Sequence, residues 1–324
     1  METSANRGEM QYVSRSDIDT IIGYLAHSVA DRRAGLFGPD SMSWRINRES
    51  ALFLGAGRAA LLQLAHPWVA TAIGQHSSVM ARPIARFHNT FRIVFTMIFG
   101  SLQQVAAASR SLHTLHTRIQ GKMAEDVARY PRGSHYQANE IAALRWVYAT
   151  LIETAVLAYE TVQPPLAPQE LNAYYAETKT FASLFGIPAS ELPRDWQSFL
   201  IYCREMEQSH ALGVSDAARA MGHGILAGAG SWIKPPQWYR ALTAAWLPPR
   251  LRAEFELPFG VAEERAVAKA RLRLPRWYRR LPSNVRYVGP WHEAQARLAG
   301  RAPDLIARAG NRFWIGQARM PFAN

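Results

Sequence analysis

The chain is predicted to fold all-α, as one multi-helix domain over residues 1–324, and three observations carry that prediction. Apolar residues recur at helical spacing almost throughout. No run of useful length alternates with period two, and no turn dipeptide sits between alternating runs. Start and stop residues fall where helices need them: Ser16 ahead of Asp17 and Asp19, Pro83 in a first turn, Gly100 and Gly186 past a last one, and Pro188 beyond.

Taken in order, the spacing predicts helices over 17–33, 48–65, 67–76, 83–99, 101–120, 139–162, 168–185, 193–209, 215–226, 236–247, 260–273 and 290–299. Within 48–65, Gly55-Ala-Gly57-Arg-Ala-Ala60 imitates a dinucleotide-binding turn, but no acid follows at ribose distance and no βαβ alternation surrounds it. Its small residues are better read as letting another helix, or a flat ligand, approach closely. The next helix lies between His66-Pro67 and Gln75-His76-Ser77, which could line a pocket or serve as caps and turns. In 139–162, Glu153 shares a stripe with Trp146, Ala149, Thr150 and Leu157. The breaks at Pro164-Pro165, Pro235-Pro236 and Pro248-Pro249 are loops, because amphipathic segments resume at once on either side.

Composition bounds the class further. At 48% hydrophobic, 324 residues bury a large core without disulfides or a structural metal. The single cysteine, Cys203, excludes an internal disulfide and fits a reducing compartment. Residues 1–16 are polar, with no apolar block of a secretory type, so a cytoplasmic location and a flexible start over 1–15 are expected. The longest uncharged run, Ala59–Ala81, contains Gln63, His66, Gln75 and His76, which suits a buried helix better than a membrane span.

The net charge of +12 favours anionic surfaces or ligands. Most of it is Arg, spread along the chain and mixed with Trp and Tyr, and no nucleic-acid partner is expected. The C-terminal part, 260–324, is read as helices and a basic tail. Arg265 to Arg286 holds eight Lys/Arg with Trp277, Tyr278 and Tyr287 among or beside them. This stretch is compatible with peripheral membrane contact or with a solvated face on which Arg stems pack against aromatics.

The most telling segment runs from Ser50 to Ala124, which has no Asp or Glu but contains Arg58, Arg82, Arg86, Arg92, Arg110, Arg118 and Lys122. On the helix near 101–120, His116 falls within about 20° of the centre of the apolar stripe and His113 about 80° from it, on its edge. On 83–99 the main stripe is Ile84, Phe87, Phe91, Val94 and Ile98, and the polar strip is His88, Asn89, Arg92 and Thr96. Arg86 and Thr90 belong to neither; with Ile93 and Met97 they form a second stripe and are expected to point inward. A buried Arg needs a partner, and the segment offers no acid. Either Arg86 meets a cofactor or reaction pocket, or it pairs with a distant acid such as Glu153.

Glu207-Gln-Ser-His210 has the spacing of a di-iron bundle motif, but no second copy exists. A serine hydrolase is unsupported because no Gly-x-Ser-x-Gly elbow is present.

The order Arg48-Glu49, Gly55-x-Gly57-Arg58-Ala59-x-Leu61-Leu62-x-x-Ala65-His66-Pro67, His76-Ser77, Arg86-x-x-x-Thr90, Phe99-Gly100, His116-x-x-Ile119-x-Gly121, Tyr136-x-Ala138 and Trp146-Val147-x-Ala149-Thr150 resembles the MpaB-type and latex-clearing-protein family of haem oxygenases. The similarity runs from about Trp44 to Pro193. It implies an all-helical fold with a globin-like core around one haem b, whose iron is ligated by His116, with Arg86 and Thr90 as the distal and cofactor-binding pair. It also implies dioxygen as co-substrate and, with the Phe-, Met- and Leu-rich walls, a hydrophobic alkene- or prenyl-type substrate. Family members that cleave polyisoprene carry a lysine immediately before that threonine, where this chain has Asn89, so rubber cleavage is not expected. The alternative is a non-catalytic helical binder of lipid or another hydrophobic ligand, which leaves the central position of His116 unexplained.

Overall fold

The computed structural model describes residues 10–76, 83–228 and 234–322, with the backbone alone over 83–86. In chain order the helices are α1 (Arg15–Ser28), α2 (Met42–Asn47), α3 (Ala56–Leu64), α4 (Pro67–His76), α5 (Pro83–Phe99), α6 (Leu102–Thr117), α7 (Ile141–Val162), α8 (Pro168–Ser183), α9 (Trp196–Gln208), α10 (Asp216–Ala227), α11 (Gln237–Trp246), α12 (Pro249–Glu254), α13 (Val261–Tyr278), α14 (Ser283–Arg286), α15 (Gly289–Leu298) and α16 (Leu305–Ile315). The fold is all-α apart from one short antiparallel pair, β1 (Gln120–Lys122) with β2 (His135–Gln137), whose three-residue strands are too short to announce themselves by alternation.

Helix α7 is the centre: α2, α3, α8, α9 and α13 all pack on it. By length and composition it could cross a membrane, yet 61% of its apolar window is buried by the other helices. The α5–α6 hairpin packs on α2, α15 and α16, and α1 lies along α6. Trp44, Trp146, Tyr148, Phe95, Phe99 and Phe199 are among the largest fully buried side chains. Trp146 donates its indole N–H to the Leu62 carbonyl and Trp44 to that of Ile98, so each large ring is also fixed in register.

Three departures from the sequence reading have physical causes. The helix expected over 48–65 is interrupted: a 3₁₀ segment, Ser50–Gly55, precedes α3, and Glu49 is extended and buried. Its carboxylate receives the Tyr278 hydroxyl at 2.9 Å, Arg286 Nε at 3.2 Å and Gln163 Nε2 at 3.3 Å, partners from more than 100 residues away that a continuous helix would not reach. The helix expected to stop at 273 runs through Pro275 to Tyr278, because that same Tyr278–Glu49 contact anchors its last turn. Finally α16, which carries Gly310 and Asn311 inside its span and has weak propensity there, owes its place to packing on α5 and α15.

The small residues at the junction of the 3₁₀ segment and α3 do admit a close neighbour, and that neighbour is a helix. A Cβ on Gly55 would lie 2.3 Å from Thr154 Cγ2 of α7, and one on Gly57 would lie 2.7 Å from Thr243 Oγ1 of α11.

Candidate active site

Gly100 and Ser101 turn α5 back onto α6. Ser101 caps α6, accepting from the Gln104 backbone N–H while its own N–H donates to the Gln104 side chain at 2.9 Å. Counting 1.5 Å per residue from this turn, Thr90 lies about 16 Å along α5, Arg86 about 22 Å, and His116 about 23 Å along α6. Arg86 and His116 are therefore about equally far from the turn, each along its own helix.

Nine of the ten histidines are hydrogen-bonded through a ring nitrogen or are exposed. His116 is neither. It is half-buried, and no described residue bonds to its ring. The protein packed around it, and then His113, push its pKa down to about 4, so at neutral pH the imidazole is uncharged and both lone-pair chemistry and ligation are open to it. The order of burial of the two histidines is the reverse of the wheel's. His113 is buried with Nε2 3.1 Å from the Val13 carbonyl, because the segment leading into α1 covers that flank of α6. His66 is buried as well, Nε2 3.2 Å from the Tyr130 hydroxyl in a cluster with Trp68, and burial pushes it down to about 3.

On α5, the strip expected to face solvent is split. His88 reaches the Phe313 carbonyl at 3.0 Å and Arg92 donates to that of Ile315 at 3.0 and 3.1 Å, so both clamp α16. Thr96 is fully buried. Phe87, Phe91 and Phe95 pack around Trp314 of the same helix. With α16 occupying that side, Asn89 and Thr90 are the exposed residues; Thr90 does not point into the core as its stripe suggested. Arg86 lies on α5, and its side chain is outside the described residues.

Glu153 meets Arg58, a buried arginine that the helical-wheel geometry did not single out. Arg58 is 4% exposed and donates Nε to the Trp246 carbonyl at 2.9 Å, Nη1 to Thr154 Oγ1 at 2.7 Å, and Nη2 to Glu153 at 2.7 Å and Glu207 at 3.3 Å. One guanidinium thus ties α3 to α7, α9 and α11. Its signal was visible as a single charge inside the apolar run Ala56-Gly-Arg-Ala-Ala-Leu-Leu.

Two carboxylates share this one cation, and the cost appears at Glu207. Burial first, then Glu153, push its pKa up to about 7, against the pull of Arg58 and Arg204. An acid whose folded pKa is raised stabilises the fold below its unfolded value of 4.5, and that stability is lost as pH rises through about 7. Glu207→Gln keeps the shape without the titration. Its melting temperature should gain on the wild type between about pH 5 and 8, and thermal unfolding at a series of pH values would refute this by showing a constant offset.

Gly121 is a strand residue, not the end of α6. A Cβ there would lie 2.6 Å from the Tyr136 hydroxyl and 2.8 Å from Gln75 Oε1. The glycine lets Tyr136 donate to Gln75 at 2.6 Å, while His76 Nε2 sits 3.1 Å from the same hydroxyl and 3.0 Å from the Gln120 carbonyl. These bonds lock the end of α4 onto the β pair.

Residues 44–282 match the family model described as ER-bound oxygenase mpaB/B'/Rubber oxygenase, catalytic domain. The chain belongs to this family. It is an oxygenase, and its chemistry requires dioxygen and a small-molecule substrate. Comparison with curated proteins and with solved structures returned no match. The mpaB/rubber oxygenase span contains His116, Arg86, Thr90 and the whole Arg58 cluster, while α16, which clamps α5, lies beyond it.

Proposed function

We propose that this mpaB/rubber oxygenase-family protein holds haem b through His116 and oxidises an apolar alkene- or prenyl-type substrate, with Arg86 and Thr90 as the polar groups of the opposite face. The observation that supports it most is the neutral, half-buried imidazole of His116, to whose ring no described residue bonds. A porphyrin iron asks for as little as one protein nitrogen. Among the described residues no group of three or more His, Cys, Asp or Glu comes together to hold a bare metal ion. One imidazole that no described residue bonds, on an acid-free helical hairpin, fits the first requirement.

When bound, the haem supplies iron at which dioxygen is activated. The chain's own residues do the rest. His116 offers a nitrogen that needs no deprotonation at neutral pH. Arg86 would offer its guanidinium to a carboxylate of the ring, with no protein acid in its own segment to compete. Thr90 holds a hydroxyl proton on the exposed side of α5, one turn away. Asn89 beside it, in place of a lysine, argues for an apolar substrate other than polyisoprene. Oxygen uptake by the haem-loaded protein with squalene as probe, followed with isotopically heavy dioxygen, tests this. The expected result is squalene-dependent uptake with label in the product; faster uptake with polar hydroxy acids than with any alkene would contradict it.

A further inference from the structure

From Arg265 to His292 the chain has no acid. The structure gathers much of that charge on one side of α13. Arg265, Lys269, Arg273, Arg276 and Arg280 fall on one outward arc, all exposed and none in a salt bridge among the described residues. Apolar side chains stand among them: Leu272 is 64% exposed and Trp277 66%, and Leu281 and Val285, just beyond the helix end, are exposed as well. Scattered surface leucines need no explanation, but four large apolar groups within one cationic segment do.

The opposite side of α13 is fixed. Val267 and Tyr278 are buried in a core with Leu242, Trp246 and Val162, and the Tyr278 hydroxyl lies 2.9 Å from both the Glu49 carboxylate and the Arg286 carbonyl. The cationic and apolar side is thus held outward on a rigid support and cannot fold back to bury its indole.

We propose that this face of α13, with the turn into α14, is a docking surface for an anionic lipid bilayer. Guanidinium and ammonium groups at the level of the lipid phosphates, with Trp, Leu and Val reaching into the acyl boundary, complement such a surface in both charge and polarity. A nucleic acid would satisfy the charge alone and leave three aliphatic side chains in water. The surface lies on different residues from the proposed haem site and does not depend on it.

Flotation of the full-length protein with phosphatidylcholine vesicles, with and without a third of phosphatidylglycerol, tests the proposal. Binding is expected only to the anionic vesicles and should weaken as salt is raised. Arg273→Glu with Arg276→Glu should reduce it by about tenfold or more, since each cation near the surface contributes separately. Trp277→Ala should weaken binding and leave its salt dependence in place. All these positions are exposed, so unchanged circular dichroism and melting would show that the variants are folded. Absence of binding to anionic vesicles, binding untouched by the double charge reversal, or tighter reversal-sensitive binding to duplex DNA than to vesicles would each overturn the proposal.

Discussion

Arg58→Ala is expected to destabilise the fold by about 3–5 kcal/mol, the cost of removing a buried cation from the two half-buried carboxylates that share it. Glu153 and Glu207 would face each other across the space left by the guanidinium, and Thr154 and the Trp246 carbonyl would lose their donor. Total stability of a domain is of the order of 5–15 kcal/mol, so this one change approaches the whole margin. Denaturant unfolding of the purified variant measures it. A triple variant, Arg58→Ala with Glu153→Gln and Glu207→Gln, separates charge from packing. If the penalty is an uncompensated charge, the triple variant recovers much of the loss; if it recovers none, the guanidinium acts mainly by filling space and bonding to Trp246 and Thr154.

His116→Ala is the second large effect, and it should divide differently. The ring bonds to no described residue, so its removal should change the stability of the haem-free protein by no more than about 1 kcal/mol. Catalysis should fall by at least about 100-fold, beyond the 10- to 100-fold that losing a supporting residue around a metal ligand produces. Thermal unfolding and oxygen uptake on the same preparation show whether the two readouts separate. A variant that is stable and fully active would remove His116 from the chemistry.

The sequence made the helical class and the α4 and α5 boundaries legible, because Pro67, Pro83 and Gly100 punctuate strong apolar periodicity. It also marked the acid-free segment as unusual. What it could not show is where the missing acids come from. Glu153 and Glu207 reach Arg58 from α7 and α9, and Asp19 reaches Arg110 at 2.7 Å from α1, so these two arginines find their acids only through tertiary contacts. A helical wheel assumes one buried direction, whereas α6 has two, toward α5 and toward α1, and this is why His113 proved the more buried histidine. The same assumption placed Thr90 inward: α16 approaches α5 from the His88–Arg92 side and leaves Asn89 and Thr90 outside. A contact with a helix more than 200 residues away has no local signature.

Whether one imidazole of this oxygenase holds a haem iron is read from the visible absorption spectrum of the chain reconstituted with haemin. A Soret band at one haem per chain is expected in the wild type, and its loss, or a shift to a different axial ligation, in His116→Ala. No haem uptake by the wild type, or an unchanged spectrum in the variant, would contradict it.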